Sequence, residues 1–391
     1  MPHQADRKKR FNQGEDLMKN RPVISSYYFP NWHVDPRNEE IHGKGWTEWR
    51  VVEHATPRFP GHRQPRLPLW GFEDEADPAI MKKKIDIAQK YGIEAFTFDY
   101  YWFADGSYRE RCLTEGFLPA CEGTDFKFAI MWANHDPIYA HPGSYWKPAE
   151  MLWSGEVTPQ TFTQCTDHLI ETYFKHPNYL RIEGKIYFSV FNLSYMIKTN
   201  GQETLRAMFE DLRSRVRKAG LGEIWIDATF VNMGAADLDA ANELIGKLHL
   251  DSCSCYAYSR MPQVDVFPCF DYESAIEINL ARVKELSEGL CVPYNPSVAT
   301  GWDASPRTVQ SDMYENRGYP FSVIAVNDTP EAWEKHLAGF RDFLDSESAT
   351  ARILNLSCWN EWTEGMYLEP DTLYGFDKLE AVKKIFGTAE K

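Results

Sequence analysis

The sequence predicts an α/β fold, a single (β/α)8 barrel of the TIM type with long βα loops. Three observations lead there. Strand-like apolar runs alternate with amphipathic helical segments about eight times along the chain. The strands read as near-continuous apolar runs, as strands covered on both faces do. No GxGxxG or GxxxxGK[ST] pattern follows any of them, so a nucleotide-binding open sheet lacks its fingerprint. Residues 1–21 form a polar leader and residues 22–391 the barrel, with no internal repeat and no Gly/Ser linker dividing it.

The first strand is expected over residues 22–32 (PVISSYYFPNW), followed by a long connection to Asp77. Asp77-Pro78 starts a helix, with an acid at the N-cap and proline at the first helical position, and Ile80, Met81, Ile85, Ala88 and Tyr91 recur at helical spacing up to Gly92. Residues 93–99 make the second strand, 112–121 a short helix, and 126–133 the third strand. Thr158-Pro159 opens a helix whose apolar face runs Phe162, Cys165, Leu169, Tyr173. A fourth strand covers 185–191, and a helix carrying Leu205, Met208, Leu212 and Val216 follows until Gly220. Strands at 223–230 and 250–258 flank a helix at 235–247. After a helix with Ile276, Leu280 and Val283, residues 290–296 begin the seventh strand. Thr329-Pro330 starts the helix of Trp333, Leu337, Phe340 and Leu344; residues 353–358 form the eighth strand and 377–386 a closing helix. Residues 321–326 read as an extra strand in the preceding loop.

Composition narrows the partners. There are 57 acidic against 42 basic residues, a formal charge of -15, so a phosphate backbone is repelled and nucleic acid is not expected. Aromatic residues make up 14%, including 13 Trp and 20 Tyr, and flat rings with polar edges suit sugars. Neither a signal peptide nor a membrane span is visible in the charged leader, which makes a cytoplasmic location the default, or a periplasmic or secreted one if a signal was removed. The eight cysteines include no CxxC pair, and Cys253 and Cys255 read as buried, reduced thiols.

Barrel enzymes carry their chemistry at the C-terminal strand ends. Here those ends read Asn31-Trp32-His33, Asp99-Tyr100-Tyr101-Trp102, Trp132-Ala133-Asn134-His135-Asp136, Asn192, Tyr256 with Tyr258, Gly301-Trp302-Asp303, and Asn360-Glu361-Trp362-Thr363-Glu364. Glu361 and Glu364 are the candidate catalytic pair. Cleaving a glycosidic bond takes a proton donor for the leaving oxygen and a second carboxylate as nucleophile or base, and neighbouring aromatics raise a carboxyl pKa by desolvation. Candidate substrate-binding residues are Tyr28, Trp32, His33, Trp46, Asp99, Tyr100, Trp102, Trp132, Asn134, His135, Tyr256, Trp302, Asp303, Asn360 and Trp362. Asp99 and Asn134 suit sugar hydroxyls, or else tie loops to the rim; Trp102, Trp132 and Trp302 are stacking platforms or core. The long first loop, with His33, Asp35, His42 and the GWTEW run of residues 45–49, reads as a lid or binding wall. His33 with Asp35, or His135 with Asp136, has the side chains of a metal site, but no metal and no cofactor is expected.

Several of these motifs are familiar. YYFPNWH at residues 27–33, GWTEW at 45–49, FDYYW at 98–102, GWD at 301–303, and WNEWTEG at 359–365 with LEPD at 368–371 resemble the WbsX-like branch of the glycoside hydrolase family 99-like proteins, over nearly the whole chain. The resemblance implies a (β/α) barrel acting on a polysaccharide or oligosaccharide, related to the endo-α-mannosidases, with retention of configuration. By position it makes Glu364 the acid/base at the leaving oxygen. Glu361 would assist the 2-hydroxyl of a mannose-like sugar in attacking its own anomeric carbon, through an anhydro-sugar. Two other functions stay open: a glycosyltransferase of surface polysaccharide biosynthesis, and a glycan-binding barrel without turnover.

Overall fold

The computed structural model describes residues 21–258 and 267–387; the leader expected over residues 1–21 lies almost wholly outside them. Eight parallel strands close a barrel: β1 (Val23–Tyr28), β2 (Ala95–Phe103), β3 (Lys127–Trp132), β4 (Lys185–Val190), β5 (Ile224–Thr229), β6 (Ser252–Ser254), β7 (Tyr294–Asn295 with Ser297–Ala299) and β8 (Ile353–Ser357). β1 pairs with both β2 and β8, in registers Ser25↔Ala95 and Val23↔Ile353. The ring closes across Pro296. Its first half-strand pairs with β6 and its second with β8, because proline offers no N–H to a ladder. The Pro296 carbonyl still accepts from Asn355 N at 3.0 Å.

Helix starts follow the capping chemistry. Asp77, Thr158 and Thr329 accept from the backbone N–H of Ala79, Thr161 and Ala332, at the heads of Pro78–Lys90, Pro159–Leu169 and Pro330–Leu344. Each such cap contributes about 1 kcal/mol. Between strands and helices lies a continuous apolar layer that includes Ile24, Phe96, Phe98, Trp132, Phe188, Trp333 and Trp359. The barrel interior is polar at mid-height: buried Asp227 accepts from the hydroxyls of Ser189, Ser252 and Ser254 at 2.7, 2.6 and 2.6 Å.

Some elements differ from expectation. β6 is much shorter than 250–258: the chain leaves the sheet after Ser254, and Tyr256, Ala257 and Tyr258 line the cavity above the barrel. Residues 112–121 form a π-helical turn, Cys112–Phe117, running into Leu118–Cys121. The first long loop contains two short helices, Pro36–His42 and Trp49–Glu53. The extra strand is real but shorter, Ile324–Val326, and pairs in parallel with Cys269–Asp271 outside the barrel. Among the described residues no two cysteines are joined by a disulfide, and Cys253 and Cys255 are buried. Among the described residues, no helix is long and apolar enough to cross a membrane.

Candidate active site

β8 ends at Ser357, and the chain then makes a small hairpin in which Asn360–Glu361 pairs antiparallel with Met366–Tyr367. The hairpin tip is the 3-10 turn Trp362–Glu364. With three residues per turn, side chains at i and i+3 eclipse, so Glu361 and Glu364 face the same way. Gly365 closes the turn at φ 63°, in the left-handed region, and a Cβ there would stand 2.8 Å from Asp303 Cβ. That close approach locks the hairpin onto the β7 loop, where Asp303 N donates to the Glu364 carbonyl at 2.6 Å.

Below the hairpin a second set of contacts fixes its orientation. Trp362 Nε1 donates to Glu369 Oε2 at 2.9 Å, and the fully buried Lys84 ammonium bridges Glu369 and Glu75 at 2.7 and 2.6 Å. Asn360 donates to the Phe29 carbonyl and accepts from Phe29 N. The carboxylates thus stand on rigid supports, which catalytic positioning demands.

Glu361 and Glu364 line a cavity of about 850 Å³ at the C-terminal mouth of the barrel, together with Asp99, His135, Tyr256 and Trp302. One buried cation organises its acids. Arg307 Nη2 donates to Glu361 Oε1 at 2.5 Å and to Glu48 Oε1 at 3.2 Å, and its Nη1 donates to Glu364 Oε1 at 2.6 Å. Its Nε donates to Thr363 Oγ1 at 2.8 Å, so every face of the planar fork is used. Tyr319 donates its hydroxyl to Glu364 at 2.9 Å.

These carboxyls are not equivalent electrostatically. Burial pushes the Glu361 carboxyl well above the ordinary range, the charge on Glu364 pushes it further, and Arg307 only partly opposes them. Asp99 is likewise raised by burial, against the hydrogen bond from Tyr256. Tyr256 Oη lies 3.2 Å from both Asp99 Oδ2 and Glu361 Oε2. A phenol has one proton to give, so the second contact needs a proton on one of the two carboxyls, in agreement with their raised pKa values. Glu48 is the opposite case: burial alone would raise it, but His141 and Arg307 hold it well below the usual range.

The other sequence-predicted residues lie away from the cavity wall. On β2, alternate side chains point to opposite faces, so Asp99 and Tyr101 face the cavity whereas Tyr100 and Trp102 pack outward, against Tyr173 and His168. Trp132 alternates with the cavity-lining Met131 and Ala133 and stacks on Phe162. Tyr28 is buried with its hydroxyl on Met81 Sδ. Trp32 packs tilted against Trp49 with ring centroids 4.0 Å apart, and Trp362 stacks on Tyr367 at 3.8 Å. Asn134 exchanges hydrogen bonds with the Asn192 backbone and so ties two loops together. Asp303 accepts from His62 and Gln64 beneath the β7 loop. Asn360 is engaged with Phe29, as described above. Trp46 stacks on the cavity residue His42 at 4.2 Å. His33 is fully buried, and burial drives its pKa down to about 3. Among the described residues, no group of three or more His, Cys, Asp and Glu is arranged to hold a metal ion.

Arg307, Arg109 and Tyr319 line the cavity without having been singled out by sequence. Nothing local to Arg307 announces its role, since its carboxylate partners lie 54 to 259 residues away. Glu48 sits in the GWTEW run, and its pairing with Arg307 explains why that run is brought to the barrel mouth.

Solved structures with this architecture include an endo-α-mannosidase of family GH99 from Bacteroides thetaiotaomicron, at TM-score 0.59 and 16% identity, over 93% of this chain and 95% of that one. A glycoside hydrolase-like protein matches at TM-score 0.55 and 15% identity, over 98% and 99%. An exo-β-1,4-mannosidase from Opitutaceae bacterium strain TAV5 matches at 0.51 and 10%, over 93% and 59%. At these identities the likeness shows the shared fold. Among curated sequences, the uncharacterized protein WxcX of Xanthomonas campestris pv. campestris is 29% identical over 377 residues, 93% of this chain and 49% of the relative, so the chain spans about half the length of the curated relatives it matches. A family model described as Glycosyltransferase WbsX matches residues 24–382, and the chain belongs to that WbsX family of barrel proteins.

Proposed function

We propose that the chain is a retaining glycoside hydrolase that cleaves an α-linked, mannose-like polysaccharide or oligosaccharide. The observation that carries this reading is the convergence of Glu361 and Glu364 on one wall of the barrel-mouth cavity, bound by one guanidinium. Glu364 protonates the departing glycosidic oxygen. Glu361, whose raised pKa makes its ionised form a strong base, takes the proton of the 2-hydroxyl, and that oxygen closes on the anomeric carbon. Water then opens the anhydro-sugar, giving its proton to Glu364 while Glu361 returns one to O2. Two displacements restore the starting configuration. Arg307 holds both carboxylates in place and balances their charge, and Trp302 offers a sugar-stacking face. Incubation with a polysaccharide panel, followed by reducing-end and NMR detection, tests the roles. Glu361→Gln and Glu364→Gln should each lower kcat on the substrate found by at least about a thousandfold. Full activity in either variant would sink the assignment.

The family's description favours a second reading, transfer from a nucleotide sugar. The chain's one Asp-x-Asp triplet, Asp237-Leu238-Asp239, stands at the head of the helix Leu238–Leu248, where Asp237 accepts from Ala240 N at 2.8 Å. It is an exposed helix cap away from the cavity wall. Calorimetric titration with nucleotide sugars separates the readings: saturable binding supports transfer, and a flat titration supports hydrolysis.

A further inference from the structure

Resting on the glycan-active reading of the cavity, we propose that its substrate carries a carboxylate, as a hexuronic acid unit does, and that Arg109 receives it. The two arginines of the cavity are provided for very differently. Arg307 is saturated by Glu48, Glu361 and Glu364. Arg109 is 8% exposed and lines the same cavity, yet among the described residues it makes no ion pair, and its Nε has no hydrogen-bond partner. Its guanidinium sits instead among three rings, 4.9 Å from the centroid of Phe29, 4.7 Å from Tyr101 and 4.5 Å from Tyr108. Such a cage holds a cation in place and excludes water from it, but supplies no anion.

The backbone supports the same assignment. Arg109 follows the short hairpin in which Tyr101 pairs with Tyr108, and it adopts φ 62° with its N–H on Asp35 Oδ2 at 3.0 Å. The left-handed region is costly for a residue with a Cβ, and here it delivers a cationic fork to the cavity. A buried cation with an unused donor is stabilised when a ligand anion completes it. The planar fork matches a carboxylate bidentately. A phosphate group is disfavoured, because its second charge would face Asp99, Glu48, Glu361 and Glu364 with Arg307 already engaged.

The full chain is titrated calorimetrically with uronic-acid oligosaccharides and with the same oligosaccharides after carboxyl reduction. In parallel, the Arg109 guanidinium is followed by NMR during additions of free glucuronate, mannuronate, glucose, mannose and inorganic phosphate. The acidic oligomer should bind at least tenfold more tightly than its reduced form, and uronates alone should move the Arg109 signal saturably. Arg109→Gln should erase the preference, and Arg109→Lys should restore only part of it. Equal affinity for both oligomers, a preference that survives Arg109→Gln, a signal that no uronate moves, or phosphate binding as well as uronate each overturn the proposal. Because every readout is binding, failure of the hydrolase reading would show separately, as tight acidic binding without turnover.

Discussion

Replacing Arg307 by methionine tests the electrostatic design of the site without any knowledge of the substrate. Methionine keeps most of the stem's volume and removes the fork. Arg307 is 7% exposed and donates to Glu361, Glu364, Glu48 and Thr363 at 2.5, 2.6, 3.2 and 2.8 Å. Removing one partner of a buried ion pair costs about 3–5 kcal/mol, because the other is left charged and unsolvated. Here three carboxylates lose their shared cation, though Glu364 keeps the Tyr319 hydroxyl and Glu48 keeps that of Thr363, and each can escape by taking a proton, at about 1.4 kcal/mol per unit of pKa shift. The deficit should therefore depend on pH, and the sign follows from linkage. Loss of the guanidinium raises the folded-state pKa of Glu361, already above its unfolded value, further still. A carboxyl raised on folding costs nothing below its unfolded pKa and progressively more as pH climbs toward its folded one. Urea unfolding of wild type and Arg307→Met should thus differ by about 1 kcal/mol near pH 4.5 and by about 3–5 kcal/mol at pH 8. A deficit under about 1 kcal/mol at pH 8, or one that does not change with pH, would mean that Arg307 does not balance these carboxylates.

Other perturbations probe different links. Burial alone would raise Glu110, but hydrogen bonds led by His168 bring it down to about 2. The stability this contributes is full above pH 4.5 and is lost as pH falls toward 2. Glu110→Gln should therefore cost at most about 3 kcal/mol at pH 7 and much less at pH 3, read by denaturant unfolding. Gly365→Ala places a Cβ 2.8 Å from Asp303 Cβ and 3.0 Å from Asp303 N, in a left-handed turn. It should lose about 2 kcal/mol or more in urea unfolding and lower kcat as the hairpin shifts. The acidic limb of the kcat/KM profile should lie above the ordinary glutamate value, because burial raises Glu361 and the base must be ionised to act. A limb at or below pH 4.5 would contradict that.

The barrel was legible because its signals are local and repeated. Asp77-Pro78, Thr158-Pro159 and Thr329-Pro330 each announce a helix by chemistry confined to a few residues, and the apolar strands between them leave few other architectures. The place of Glu361 and Glu364 at the barrel mouth was legible for the same reason: a buried strand leads directly into them. What surrounds the pair was not. Runs such as Asp99-Tyr100-Tyr101-Trp102 mix inward and outward side chains, and only the pleat decides that Asp99 enters the cavity while Trp102 joins the helix layer. Arg307 meets carboxylates 54 to 259 residues away, and Arg109 enters the cavity through a left-handed turn, so no local pattern marks either. His33, placed beside Trp32 at a strand end, looked like a ligand-binding residue; full burial removes it from the cavity instead.

Hydrolysis by Glu361 and Glu364 through two displacements at the anomeric carbon, as proposed, fixes the anomer first released. Time-resolved proton NMR of the first products released from a cleaved glycan tests it most directly. The α-anomer should appear first and mutarotate afterwards, and Glu361→Gln and Glu364→Gln should release neither anomer at a comparable rate. Initial appearance of the β-anomer, or release undiminished in either variant, would contradict it.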